Sequence, residues 1–183
     1  MVNATKTSHE IAWKPSREGW IQVQSDGSVL QPSGSAAAGG LLRDHLGRCM
    51  GAFTCNLGKC SITRAELKGA AEGLELAWKL GYRNAELNVD SRTALDIIKN
   101  RDHTDHCHGL LAKQFSSLLL REWTVEFNHV YRECNFAADF LATKGHCSPF
   151  GTHLFDVSDP NFCYWLYHDS MGISRNRLIN DMI

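Results

Sequence analysis

From Trp20, the residues Ile21, Val23 and Ser25 alternate with Gln22 and Gln24, the period of two of a strand with one buried face, and Asp26-Gly27 reads as its end. Small residues and leucines fill Ser35 to Arg43, and a second apolar run covers Cys49 to Asn56. Asp44 to Arg48 separates the two and carries a turn glycine at Gly47, so the three runs predict an antiparallel meander. The period then lengthens: Leu67, Ala70, Ala71, Leu74, Ala77 and Trp78 form a helical stripe within Arg64 to Leu80, closed by Gly81 as a C-terminal cap. Ala85 to Val89 returns to a strand, and Asp90-Ser91 leads into a short helix through Ala94, Leu95, Ile97 and Ile98. After the polar stretch Asn100 to His108, Leu110 to Leu120 is helical, Val125 to Val130 is a strand, and Asn135 to Lys144 is a final helix. A meander followed by alternating helices and strands predicts a mixed sheet covered by helices, an α/β layered fold.

With 183 residues, 43% of them hydrophobic and 21% charged, the chain is long enough for one domain with an ordinary core. Residues 20–144 carry the periodic pattern. Residues 1–19 are polar and aperiodic apart from Ile11, Ala12 and Trp13 and read as a flexible lead-in. Residues 145–183 hold Phe150, Phe155, Phe162, Tyr164, Trp165 and Tyr167, too many aromatics for an inert linker, so this tail is expected to pack on the domain. A formal net charge of -1 excludes a general basic field, and any nucleic-acid site must be local. Seven cysteines without a CxxC pair, and an N-terminus without an apolar signal-like run, favour a reducing interior, nuclear or cytoplasmic rather than organellar or secreted. No run approaches the roughly 20 apolar residues of a membrane span.

Asp26, Glu66, Asp90 and Asp139 each sit where an apolar run gives way to a turn or a helix start. Singly they have ordinary explanations: Asp26-Gly27 as a turn, Thr63 to Glu66 as a capping box, Asp90 ahead of a helix, Asp139 in the first turn after a cap at Asn135. Jointly they suggest more. If the first strand of the meander occupies the middle of the sheet, Asp26 and Asp90 emerge from neighbouring strand ends while Glu66 and Asp139 face them from helix starts. Clustered carboxylates repel unless cations neutralise them, and such hard oxygen ligands suit two Mg²⁺ ions about 4 Å apart acting on a phosphodiester.

The segments Gln24-Ser25-Asp26-Gly27-Ser28, Ala65-Glu66-Leu67, Val89-Asp90-Ser91 and Asn135 to Ala142, in this order and spacing, resemble the type 1 ribonuclease H family. More narrowly, Gly39 to Asp44 with Gly47, Glu72 to Ala77, and Asp169 to Gly172 followed by Arg175 and Arg177 resemble the ribonuclease H modules of plant non-LTR retroelements and their stand-alone relatives. The resemblance implies a ribonuclease H-like fold, a five-stranded mixed sheet of three antiparallel and two parallel strands with helices on both faces. It further implies a metal-dependent endoribonuclease that cuts the RNA strand of RNA–DNA hybrids, leaving 5′-phosphate and 3′-hydroxyl ends. Two Mg²⁺ ions, or Mn²⁺ in their place, would share Asp26, with Asp139 on the one that prepares the water and Glu66 and Asp90 on the other. The same motifs put Ser28, Ser61, Thr63, Arg64, Ser91 and Asn135 beside the substrate. The alternative is a domesticated module that keeps the fold as a nucleic-acid or protein-binding domain.

The chain departs from the family pattern at three places. The loop Tyr131-Arg132-Glu133-Cys134 lacks the histidine many members carry there, and His129 reads as a strand residue. Lys99 to His103 replaces a lysine-rich, tryptophan-bearing protrusion, which implies weak and salt-dependent hybrid affinity. His103 to His108, despite its imidazoles and thiol, reads as a solvated loop because no second ligand pair has zinc-site spacing, while Cys55 and Cys60 read as strand-end residues and Trp78 and Trp123 as core.

Overall fold

Alternation on the central strands divides the interior into two cores, one on each side of a single sheet. In the computed structural model, which describes residues 6–100, 109–172 and 175–180, the elements in order are β1 (Lys6–Ile11), β2 (Ile21–Leu30), β3 (Ser35–Arg43), β4 (Cys49–Lys59), α1 (Ile62–Lys79), β5 (Asn84–Val89), α2 (Arg92–Asn100), α3 (Gly109–Leu119), β6 (Thr124–His129), a 3-10 turn (Arg132–Cys134), α4 (Phe136–Gly145), β7 (Gly151–Leu154), α5 (Pro160–Ser170) and β8 (Arg175–Asn180). The main sheet has the order β6-β5-β2-β3-β4-β7. The meander β2-β3-β4 is antiparallel, and β5 and β6 add in parallel beside β2. The histidine-rich tract 103–108 lies outside the described residues.

Ile21, Val23, Leu42, Leu87 and Val89 pack under Leu67 and Leu74 of α1, Leu95 and Ile98 of α2, and Phe115 and Leu118 of α3. On the other face Leu41 and Ala52 meet Ala137, Ala138 and Leu141 of α4 and Phe162 of α5. Helices therefore cover both faces. Helix α1 ends as the glycine signal requires: Gly81 takes φ 89°, its N–H donates to Trp78 O, and the Tyr82 N–H reaches back to Ala77 O, a Schellman pair. No described helix is long and apolar enough to cross a membrane.

Two expectations change. The sheet has six strands, because β7 in the tail pairs antiparallel with Phe53–Cys55 of β4. Its side chains are largely exposed, so it is held by backbone hydrogen bonds and leaves no alternation to read. Asp26-Gly27 does not end β2 either. Pairing with β3 continues through Leu30↔Ser35, and the reversal falls where Gly34, at φ 71°, returns its N–H to Leu30 O. The tail also forms α5, begun by Asp159, whose carboxylate accepts from Asn161 N and Phe162 N with Pro160 in the first turn. Strand β8 pairs antiparallel with β1 in a separate two-stranded sheet, joining the N-terminal segment to the tail. Ile11, the last residue of β1, and Trp13 just after it are buried beside Cys134.

The helices carrying Glu66 and Asp139 approach the sheet through glycines. A Cβ on Gly27 would stand 2.6 Å from Glu66 N, and one on Gly39 would stand 2.3 Å from Ala142 N. Both obstacles are helix backbone, which cannot rotate away. Gly39→Ala is expected to cost about 3 kcal/mol, the upper end of overpacking. That corresponds to a fall in melting temperature of roughly 6–12 °C for a chain of this size. A melting curve that coincides with the wild type would show that α4 can step back without loss.

Candidate metal centre

Strand β2 pairs with β5 only as far as Gln24↔Asn88. Beyond that point the β5 side of β2 is open, and the acids gather in the notch. Asp26 comes from β2, Glu66 from the second turn of α1, and Asp90 from the residue after β5. One carboxylate oxygen from each lies within 4.8 Å of the others. Asp26 is 5% and Glu66 8% exposed. Asp139, in the first turn of α4, is not part of this close group; its side chain is 35% exposed, and its Oδ1 accepts from Arg132 Nη2 at 3.2 Å.

Packing these charges together out of water is costly, and the protonation equilibria register it. Burial, then the charges of Glu66, Asp90 and Asp139, push Asp26 up to about 9 against the opposing Gly27 N–H. Burial and then Asp90 push Glu66 up to about 8, with the Gly27 N–H and Arg132 pulling the other way. Asp90 is raised as well, by burial first. Glu66 Oε2 and Asp90 Oδ1 are buried without a hydrogen-bond partner. Oxygens of this kind are rare in folded proteins unless an ion or water takes them. An all-oxygen, multiply charged donor set of this size fits a hard divalent cation such as Mg²⁺ or Mn²⁺, for which Asp26, Glu66 and Asp90 are in place.

The residues expected beside the substrate fare differently. Ser61, not Thr63, caps α1: its Oγ accepts from Arg64 N, so the helix starts two residues earlier and Glu66, free of any capping box, turns inward. Thr63 and the exposed Arg64 fall in the first turn, and Arg64 lines a cavity of about 470 Å³ with Lys59, Lys68, Leu110, Gln114 and Phe150. Ser28 Oγ is hydrogen-bonded to His146 Nε2 at 3.0 Å, while His146 Nδ1 meets Ser35 Oγ. Ser91 caps α2 by accepting from Ala94 N. Asn135 is fully buried; its Nδ2 donates to Ser25 O at 3.0 Å and ties α4 to β2, while its Oδ1 has no partner.

Two residues near the acids were not singled out from sequence for this role. Arg132 pairs with Asp139 and lowers the pKa of both Glu66 and Asp90. Its only signal was a cation in the loop before the last acid. His129 is at the end of β6, where its Nε2 donates to Asp90 O at 3.1 Å and props the turn that presents that acid. Trp78 and Trp123 form an edge-to-face pair at 5.4 Å; Trp123 packs against the core and its Nε1 donates to Leu118 O, whereas Trp78 is half-buried with the Arg83 guanidinium 3.9 Å over its ring.

Residues 24–145 match the family model described as reverse transcriptase-like. Over 178 residues the chain is 34% identical to a candidate ribonuclease H protein of Arabidopsis thaliana, covering 97% of this chain and 29% of that protein. The chain thus spans less than a third of the length of this curated relative. RNase H1 from the halophilic archaeon Halobacterium salinarum is similar in structure with a TM-score of 0.64 and 24% identity over 69% of this chain and 96% of that one. LC11 RNase H1, solved in complex with an RNA/DNA hybrid, gives a TM-score of 0.58 and 20% identity over 69% and 96%.

Proposed function

Since the chain belongs to the reverse transcriptase-like family of ribonuclease H domains, we propose that it is a metal-dependent endoribonuclease hydrolysing the RNA strand of RNA–DNA hybrids. The observation that carries this reading is the convergence of Asp26, Glu66 and Asp90 within 4.8 Å, with two buried carboxylate oxygens left for a cation. Asp26 feels the charge of all three other acids and would be shared by two ions, with Glu66 and Asp90 completing one site and Asp139, which lies outside the 4.8 Å group, the other. Divalent ions held by these residues would supply the charge for activating a water and stabilising the leaving oxygen, the chemistry that would leave 5′-phosphate and 3′-hydroxyl ends. The protein's own share is positional. Gly27 donates its N–H to Asp26 Oδ1 at 2.8 Å, and Arg132 restrains Asp139.

Substrate contacts are expected at the start of α1, at Ser61, Thr63 and Arg64, the last of which lines the basic cavity with Lys59 and Lys68, and along Ser28 and Ser91. Backbone and 2′-hydroxyl contacts of this type read the shape of a hybrid without reading sequence. A local basic patch on a chain of net charge -1 makes binding steeply salt dependent.

The test is cleavage of a labelled RNA–DNA hybrid beside single-stranded RNA and duplex DNA, with Mg²⁺, Mn²⁺ or EDTA, at low and physiological salt. Cutting confined to the RNA of the hybrid and abolished by EDTA is the expected result. Binding of the hybrid with no cutting in either metal would replace the enzyme by a binding module.

A further inference from the structure

Asp139 depends on its surroundings for its position more than the other acids do. Its side chain is 35% exposed, and α4 begins at Asn135 without a side-chain capping bond: the Asn135 Nδ2 donates to Ser25 O, and Oδ1, the atom that could cap, is buried without a partner. The start of α4 must therefore be fixed by tertiary contacts, and these lead to the tail. Arg43, the last residue of β3, and Asp169, near the end of α5, form an ion pair at 2.7 Å with both side chains about 1% exposed. Arg43 Nε also donates to Gln24 Oε1 at 3.0 Å, and the guanidinium lies 4.0 Å over the Trp13 ring. Gln24 passes the connection on, its Nε2 donating to Cys134 O at 2.7 Å. The next residue is Asn135, whose carbonyl accepts the Asp139 N–H at 3.0 Å. A parallel aromatic contact flanks the acid, with Phe136 on Trp165 at 5.4 Å and Phe140 stacked on Phe162 at 6.1 Å.

A buried ion pair is a poor source of stability. Burial drives Arg43 down and Asp169 up despite their mutual attraction, so desolvation outweighs the pairing for both. An apolar pair would hold the tail as firmly. What the polar relay adds is direction: each bond in it constrains angle as well as distance.

We propose that the C-terminal tail is a positioning element of the metal centre, in which the Asp169–Arg43–Gln24 relay fixes the Cys134–Asn135 backbone and thereby sets Asp139 relative to Asp26. This rests on the reading of Asp139 as a metal ligand. Groups that orient metal ligands in this way typically govern affinity by about ten-fold or more.

The test uses the whole chain in two forms. Gln24→Leu cuts the relay at Cys134 and keeps the ion pair. Arg43→Met/Asp169→Leu exchanges the pair for an apolar one, a change that tends to preserve stability. Three readouts are taken without substrate: Mn²⁺ binding by calorimetry, amide exchange at Ala138 and Asp139, and melting temperature. Both variants are expected to bind Mn²⁺ about ten-fold more weakly and to exchange those amides faster, with the double variant melting close to the wild type. Leu118→Ala, which opens a cavity in the opposite core, is expected to lower melting while leaving Mn²⁺ affinity unchanged. Variants that lose stability yet keep wild-type Mn²⁺ affinity and amide protection would overturn the proposal and make the relay merely structural. Should the wild type itself bind no Mn²⁺, the metal reading fails, and exchange at Ala138 and Asp139 still decides whether the relay positions α4.

Discussion

Asp26→Asn is expected to reduce single-turnover cleavage of a hybrid by at least about 10³-fold, a loss of roughly 4 kcal/mol of transition-state stabilisation. Asp26 is pushed up to about 9 and feels the charge of each of the other three acids. The amide keeps the shape of the carboxylate but removes the charge and one strong oxygen ligand, so any cation that remains is held more weakly and placed less well. Affinity for the hybrid should hold or improve, since one negative charge near the phosphate path is gone and the contacts at the start of α1 are untouched. Single-turnover rates and hybrid binding in EDTA separate the two effects. A variant that cuts within ten-fold of the wild type would sink the role given to Asp26; one that neither cuts nor binds would indicate a folding defect, which its melting curve would reveal.

Much of this centre was readable because its acids occupy transitions, and transitions are where strand ends and helix starts meet. What misled at Asp26-Gly27 was the glycine. It reads as a turn, yet β2 runs on to Leu30, and the missing side chain makes room for the α1 backbone at Glu66. The capping box from Thr63 to Glu66 failed for a related reason: Ser61 already supplies the cap, so Glu66 is released to face the site. Local pattern places an acid near a helix start but does not say whether it caps the helix or leaves it.

The parts that escaped are those whose signals are non-local. Strand β7 has no buried face, so no alternation announces it. The Asp159-Pro160 start of α5 was present as a local signal among aromatics that suggested packing without specifying an element. The pairing of Arg43 with Asp169 across 126 positions has no sequence pattern, and neither residue alone departs from an ordinary surface charge. Asn135 was expected beside substrate because it stands in a motif. Only its complete burial and its bond to Ser25 O show that in this chain it ties α4 to β2.

The second large effect concerns the metal-free protein. Asp26 and Glu66 ionise at about 9 and about 8 in the folded state, against roughly 3.9 and 4.3 when unfolded. A raised carboxyl pKa means the folded state holds the proton more tightly than the unfolded one. The stability contributed by those protons is therefore complete below about pH 4, falls as pH rises, and is gone above about pH 9. This is the reverse of a salt-bridged carboxylate. In EDTA the wild type should lose on the order of a few kcal/mol between pH 5 and pH 9 on this account. Asp26→Asn cannot lose its proton, so its melting temperature should fall less steeply and lie roughly 5–10 °C above the wild type at pH 8. Taking the difference between the two proteins at each pH cancels the titrating groups that Asp26 does not touch and leaves its own proton together with its effect on Glu66. Mg²⁺ supplies the same relief by another route, since a cation that binds only the folded state stabilises it by mass action; it should raise wild-type melting at pH 8 and scarcely move Asp26→Asn. If Asp26→Asn instead melts below the wild type at pH 8 in EDTA, the acids are not in conflict without metal. The substitution that ends cleavage is thus expected to strengthen the fold, because the cluster's repulsion is tolerated only for what it holds.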